Sequence, residues 1–407
     1  MRRTNNPSTR KHVRAAGESS IAGRTHHSSP RRWMLPTLLA ATVAILCVIA
    51  WPFTLAHLQA VAVLKQVSEE PVPWIVGEAV AEPITIEDVQ FESSAGAVHA
   101  RVYLPVNKPN APAMIVLHGV HHLGIDEPRL ESFASALASC GLRVLTPELP
   151  DIKDYRVDAS SIRIIGESTK WFSQKTNGPV GVMGLSFSGG LALLSAANPV
   201  YQPDFKFVLA IGSQDSMKHV AQYYLTGQEQ RPDGSVEKLT PHEYGALVLE
   251  YEYLEDFVPP GDIDAVRNVL RQHLYEDKPA EAAALAQLTP QQTSEAKQLM
   301  DSNAPATRAM LAKADALHST DMKDLSPAGR LSTMTTPVYL LHGQADNIIP
   351  AAETLWMANE LPSSTRKAVL VSPVLSHLDI ASARPGIWDE WQLVHFLALV
   401  IHAAETK

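Results

Sequence analysis

Five brief, uninterrupted apolar runs are spread along the chain: AMIVLHG from Ala113, LRVLTPELP from Leu142, PVGVMG from Pro179, FKFVLAIG from Phe205 and PVYLLHG from Pro337. A strand with one wet face alternates polar and apolar residues, so runs apolar on both faces predict parallel strands buried between two layers. Helical stretches separate them, PRLESFASALASCG from Pro128, ASSIRIIGESTKWFSQKT from Ala159 and GGLALLSAA from Gly189. Strand and helix thus alternate, which predicts right-handed crossovers and a mostly parallel sheet with helices on both faces, an α/β fold.

The elements around this series differ. ITIEDVQF and AVHARVYLP, from Ile84 and Ala97, alternate and read as an antiparallel pair. Residues 213–336 hold no convincing strand but several helical pieces, among them HVAQYYL, GALVLEYEYLEDF, DIDAVRNVLRQHLY and SEAKQLM. So long a loop without structure is uncommon, and a helical cap insertion is expected there. KAVLVSP and IWDEWQLVHFLALVIHAAE close the chain as a strand and a helix. The expected organisation is a core at 84–212 and 337–407, interrupted by the cap at 213–336.

At the amino end, Trp33 to Phe53 are free of charge, enough for a helix across a hydrocarbon core of roughly 30 Å. Residues 1–32 carry eight Arg or Lys against one Glu. By the positive-inside rule they form a basic cytoplasmic tail, making 33–55 a transmembrane signal anchor with the large carboxy-terminal part on the periplasmic or extracellular side. A cleaved signal peptide, with Ala60 and Ala62 spaced as A-x-A, and a twin-arginine signal on Arg31 and Arg32 are the alternatives; the apolar run exceeds the usual ~7 to 15 residues of a signal core. Residues 56–83, rich in Pro and acid toward their end, read as a linker.

The whole chain carries a formal charge of −9, so the part after the basic tail is strongly acidic. That argues against a nucleic-acid-binding surface. Cys47 and Cys140 are the only cysteines, too few for a disulfide framework or a cysteine metal site.

Three motifs carry chemistry. GVMGLSFSGG, residues 181–190, places Ser186 between an apolar run and a helix start, nearly spelling the nucleophile elbow G-x-S-x-G, with Ser188 where the second glycine belongs. Ser188 is a weaker nucleophile candidate, because Ser186 would then occupy the tight leading-glycine position. In LLHGQADNIIP, Asp346 lies just past a strand end; Asp215 in IGSQDS is the reserve acid. In VSPVLSHLDI, His377 follows the last strand.

Ser, Asp and His in this order, on this pattern of elements, resemble the α/β-hydrolase fold superfamily of serine esterases and lipases, over about residues 84–404. The resemblance implies an eight-stranded sheet, Ser186 as nucleophile, His377 as its base and Asp346 orienting the imidazole. It also implies an oxyanion hole from the backbone N–H groups of Val120 and Phe187. The expected reaction is cleavage of a carboxylic ester through an acyl-enzyme, the partner being a small-molecule acyl ester; the apolar and aromatic residues of the cap would suit a hydrophobic one. Acyltransferase, thioesterase and peptidase chemistry with the same triad, and non-catalytic ligand binding, are the rivals. His121 and His122 are expected to line the pocket rather than bind metal, since adjacent side chains diverge; no metal or cofactor is expected. His118 and His342 are expected to satisfy strand-end hydrogen bonds. Tyr223, Tyr224, Tyr251, Tyr253 and Phe257 are expected mainly as cap packing.

Overall fold

Alternate residues of each apolar run face opposite sides of one sheet. On β3 (Ala113–Leu117), Ile115 and Leu117 enter one core while Met114 and Val116 enter another; on β6 (Phe205–Ile211), Val208 and Ala210 part from Phe207 and Leu209 in the same way. Both faces are buried, which is why the runs show no polar alternation.

The computed structural model describes residues 31–302, 304–375 and 386–406, with side chains from residue 38. The chain divides into two compact units, Met1–Trp51 and Pro52–Lys407. In the first, the described residues are helical and Leu38, Leu39, Val48 and Ile49 are exposed. The helix to which they belong, α1 (Arg31–Val67), is long and apolar enough to cross a membrane, with a mean hydropathy of 2.3 over its most apolar window.

In the second unit, β1 (Ile84–Ser93) and β2 (Gly96–Pro105) form the antiparallel pair expected of their alternating sequence. With β3, β4 (Arg143–Pro147), β5 (Val180–Leu185), β6 and two later strands they build one eight-stranded sheet. Its spatial order is β1-β2-β4-β3-β5-β6, then Val338–Gly343 and Arg366–Ser372. Only the β1–β2 and β2–β4 pairs are antiparallel. This is the α/β-hydrolase arrangement.

The crossovers are helical. After α1 and the short α2 (Trp74–Val80) come α3 (Pro128–Ser139), α4 (Pro150–Lys153), α5 (Ala159–Thr176) and α6 (Phe187–Ala196). Glu127 and Asp158 cap α3 and α5 by accepting from Leu130 N and Ser160 N, and Asn177 ends α5 in the left-handed region. Between β6 and the next long strand lie α7 (Met217–Thr226), β7 (Gln228–Gln230) and β8 (Val236–Lys238). They are followed by α8 (Glu243–Glu252), α9 (Ile263–Leu274), α10 (Lys278–Leu285), α11 (Pro290–Leu299), α12 (Pro305–Leu317) and α13 (Ser319–Asp324). The helical pieces read from the sequence are all there, but so is the unexpected β7–β8 hairpin. β9 (Val338–Gly343), α14 (Ala352–Glu360), β10 (Arg366–Ser372) and α15 (Ile387–Glu405) complete the unit.

The segment expected as a linker differs from that reading. The helix continues to Val67, and Ala56, Ala60 and Val63 are buried against the same face of the sheet as α3 and α15. Gln59, 2% exposed, donates through Nε2 to Cys140 O (2.7 Å) and Glu405 Oε1 (2.8 Å), satisfying its buried amide nitrogen. Small residues there allow close helix approach.

Candidate active site

Ser186 sits between β5 and α6 with φ 56° and ψ −136°. A side chain at positive φ strains the backbone by about 1–3 kcal/mol, so the surroundings must hold it. They do: Ser186 N donates to Ile211 O (2.8 Å) on the neighbouring strand, and Gly189 N to Ser186 O (3.0 Å). The strand and helix meet so tightly that a Cβ on Gly184 would lie 2.4 Å from Gly189 Cα, and one on Gly189 would lie 2.0 Å from Ser213 Oγ. The displaced glycine is thereby explained. In this chain Gly189, not residue 188, makes the closest approach to Gly184.

Ser188 is freed for another task. It is fully buried, and its hydroxyl donates to the His118 carbonyl at 2.6 Å. That carbonyl begins the loop 118–122, which carries Val120. Two further bonds hold this loop. His118, buried, has Nδ1 2.8 Å from Gly119 O and accepts from Leu149 N at Nε2 (2.9 Å). A carbonyl only accepts, so Nδ1 carries the proton and the ring is neutral; burial pushes its pKa down to about 4. From α8, Tyr244 Oη donates to Val120 O at 2.9 Å. Phe187, as the first residue of α6, has an N–H that no intrahelical carbonyl can accept. Both residues expected in the oxyanion hole thus lie on backbone fixed by neighbours.

Asp346 is fully buried in the β9–α14 connection. Its Oδ1 accepts from Ile348 N (2.9 Å) and Ile349 N (3.0 Å), and its Oδ2 lies 3.3 Å from His342 Nε2. His342 also meets Ile349 O (2.9 Å) and Thr354 Oγ1 (2.7 Å), so its role is local support, as expected. Asp215, the reserve acid, is 3% exposed. Burial first, then the charge of Glu353, pushes its pKa up to about 8. An acid that holds its proton at neutral pH orients and stabilises an imidazolium poorly, which favours Asp346. His377 lies outside the described residues.

An apolar cavity of about 180 Å³ borders the elbow. It is lined by Gly119, Val120 and His121 of the loop, Leu185 just before the serine, Leu209, Ile211 and Leu341 of the sheet, and Leu64, Leu130, Phe133, Leu393, Phe396 and Leu397 of the helices. Its charged lining residues pair with one another, Arg129 Nε to Glu127 Oε1 at 2.6 Å. His121 lines it and His122 does not. Their rings do not diverge as expected but stack at 4.6 Å, and Tyr275 also stacks on His122, at 4.3 Å. Burial lowers the pKa of both. The aromatic residues Tyr223, Tyr224, Tyr251 and Tyr253 are buried, as packing requires.

Sequence reasoning missed Ser188 and Tyr244 as supports of the loop, whereas His118 makes the strand-end hydrogen bonds expected of it. The one available signal was Ser188 itself, a polar residue where the motif wants glycine.

A family model of X-Pro dipeptidyl-peptidase (S15 family) matches residues 167–374. No curated protein matches the chain. Among solved structures, the Pyrobaculum calidifontis esterase is 15% identical over 85% of this chain and 90% of its own, with a TM-score of 0.41. The esterase domain of a Rhodothermus marinus protein is 16% identical over 78% and 97%, with a TM-score of 0.40. Pyrococcus horikoshii acylaminoacyl peptidase is 11% identical over 75% of this chain and 39% of its own, with a TM-score of 0.41.

Proposed function

The chain belongs to the X-Pro dipeptidyl-peptidase (S15) family and is a hydrolase of the α/β-hydrolase type, and from this we propose that it is a membrane-anchored serine hydrolase that cleaves carboxylic esters with an apolar acyl group. The observation that carries the reading is Ser186 held at φ 56° on the turn between β5 and α6. There its hydroxyl is the nucleophile of the fold. His377 takes its proton as the Ser186 Oγ–acyl carbon bond forms, and Asp346 stabilises the resulting imidazolium. The carbonyl electrons move onto oxygen, and the N–H groups of Val120 and Phe187 donate hydrogen bonds to the oxyanion so formed; each such donor contributes about 3 kcal/mol in comparable sites. His377 then protonates the departing alcohol. Water, deprotonated by the same imidazole, releases the acid and restores the serine.

The apolar cavity supports an uncharged hydrocarbon acyl group, since its only described charged lining residues, Glu127 and Arg129, are paired together. No metal or cofactor takes part in these steps, and nucleic acid is not a partner in this reading. The amino-terminal helix anchors the protein once through residues 33–55, with residues 56–407 on the non-cytoplasmic side, as the basic tail implies.

The family match favours a second reading, peptide cleavage by the same groups. Parallel assays of the full chain with p-nitrophenyl acetate, butyrate and octanoate and with X-Pro p-nitroanilides separate the two. Ester turnover rising toward octanoate supports the ester reading; anilide turnover with negligible ester turnover overturns it for the peptidase.

A further inference from the structure

Away from the triad, Asp215 past β6, His219 in the first turn of α7 and Glu353 in the first turn of α14 bring three ligand atoms within 4.8 Å of one another. Asp215 and Glu353 are 3% and 1% exposed, and burying two carboxylates together is costly unless something of opposite charge offsets them. Hydrogen bonding does not do so for Asp215, whose buried Oδ1 has no partner. Glu353 is already oriented: its Oε2 accepts from Asp215 N (2.9 Å) and Ser216 N (2.7 Å), leaving Oε1 toward His219 Nδ1 at 3.3 Å. That separation is long for a charge-assisted hydrogen bond, usually ~2.7–2.9 Å. It matches the ~3.3 Å edge of a tetrahedron whose arms are the ~2.0–2.1 Å of metal–nitrogen and metal–oxygen bonds.

We propose that Asp215, His219 and Glu353 form a site for a divalent transition-metal ion of the zinc type. One imidazole and two carboxylates suit such an ion rather than calcium, which takes six to eight oxygens. The ion displaces the proton of Asp215, after which the two carboxylates neutralise its charge; the backbone donors on Glu353 are the outer support that metal ligands ordinarily have. The His219 side chain, 43% exposed, is the entry side and can swing to close the remaining gap. Bound there, the ion ties the β6–α7 connection to the start of α14. It thereby clamps the far end of the loop that begins at Asp346. Its role is structural, and it stands apart from the chemistry proposed for Ser186.

The test uses the untagged full chain in detergent, stripped with a chelator and titrated with Zn²⁺ against a chromophoric competitor, with elemental analysis and thermal unfolding alongside. One zinc per chain is expected, with a higher unfolding temperature on binding. His219→Ala, which removes a partly exposed ring, and Asp215→Asn should each weaken binding at least tenfold and abolish the thermal shift. His219→Ala should unfold near the stripped wild-type temperature, showing that its fold is intact. A His121→Ala/His122→Ala double variant should bind as wild type does. Failure of the stripped wild type to take up stoichiometric zinc on titration, or unchanged affinity in both His219→Ala and Asp215→Asn, overturns the proposal.

Discussion

Ser188 Oγ donates to the His118 carbonyl at 2.6 Å, joining the first turn of the helix after Ser186 to the loop that carries Val120. The two N–H groups proposed to receive the oxyanion therefore sit on segments tied by one buried hydrogen bond. Their spacing is fixed before substrate arrives, which is what makes such donors effective. Tyr244 holds the same loop from α8 through the Val120 carbonyl.

Ser188→Ala removes the tie and leaves Ser186 in place. Ester turnover should fall about tenfold, less than the ~100-fold or greater cost of losing a donor outright, while KM changes little. Tyr244→Phe should act in the same direction. Steady-state kinetics on p-nitrophenyl butyrate check both.

Gly189→Ala places a methyl 2.0 Å from Ser213 Oγ, in a junction with no room to yield because Gly184 O is only 2.9 Å away on another side. Overpacking of this kind costs about 1–3 kcal/mol. The variant should unfold several degrees below wild type in a thermal melt and lose most of its activity.

The cavity predicts acyl-chain selectivity. Leu393→Trp adds bulk from α15 to a space of about 180 Å³, so turnover of octanoate should drop at least tenfold while acetate is affected little. Equal losses on both esters would place acyl binding elsewhere.

His118 gives stability a pH dependence of definite sign. Its folded pKa, about 4, lies below the ordinary 6.5, so the folded state binds fewer protons. The contribution is fully present above pH 6.5 and is lost as pH falls toward 4, by on the order of 3 kcal/mol. Denaturant unfolding from pH 7 to 4 should show the stability gap between wild type and His118→Gln shrinking by that order.

What the sequence made legible follows from range. The buried strands were readable because both faces of each run are apolar, and the elbow because Gly184, Ser186 and Gly189 stand together within six residues. Ser188–His118 and Tyr244–Val120 were not readable, as 70 and 124 residues separate the partners. The β7–β8 hairpin was missed because its strands, QEQ and VEK, are too short and polar to alternate, although Asp233 and Gly234 make the turn. The alanines at 56 and 60 gave no helical stripe of large residues, so their burial depended on partners in α3 and α15 that no local pattern names.

The central claim is that Ser186 is an activated nucleophile. Fluorophosphonate labelling of the full chain, beside Ser186→Ala and Ser188→Ala, tests it most directly. The account predicts labelling of wild type and of Ser188→Ala, slower in the latter, and none of Ser186→Ala. Labelling that persists in Ser186→Ala, or a folded wild type that does not label at all, would contradict it.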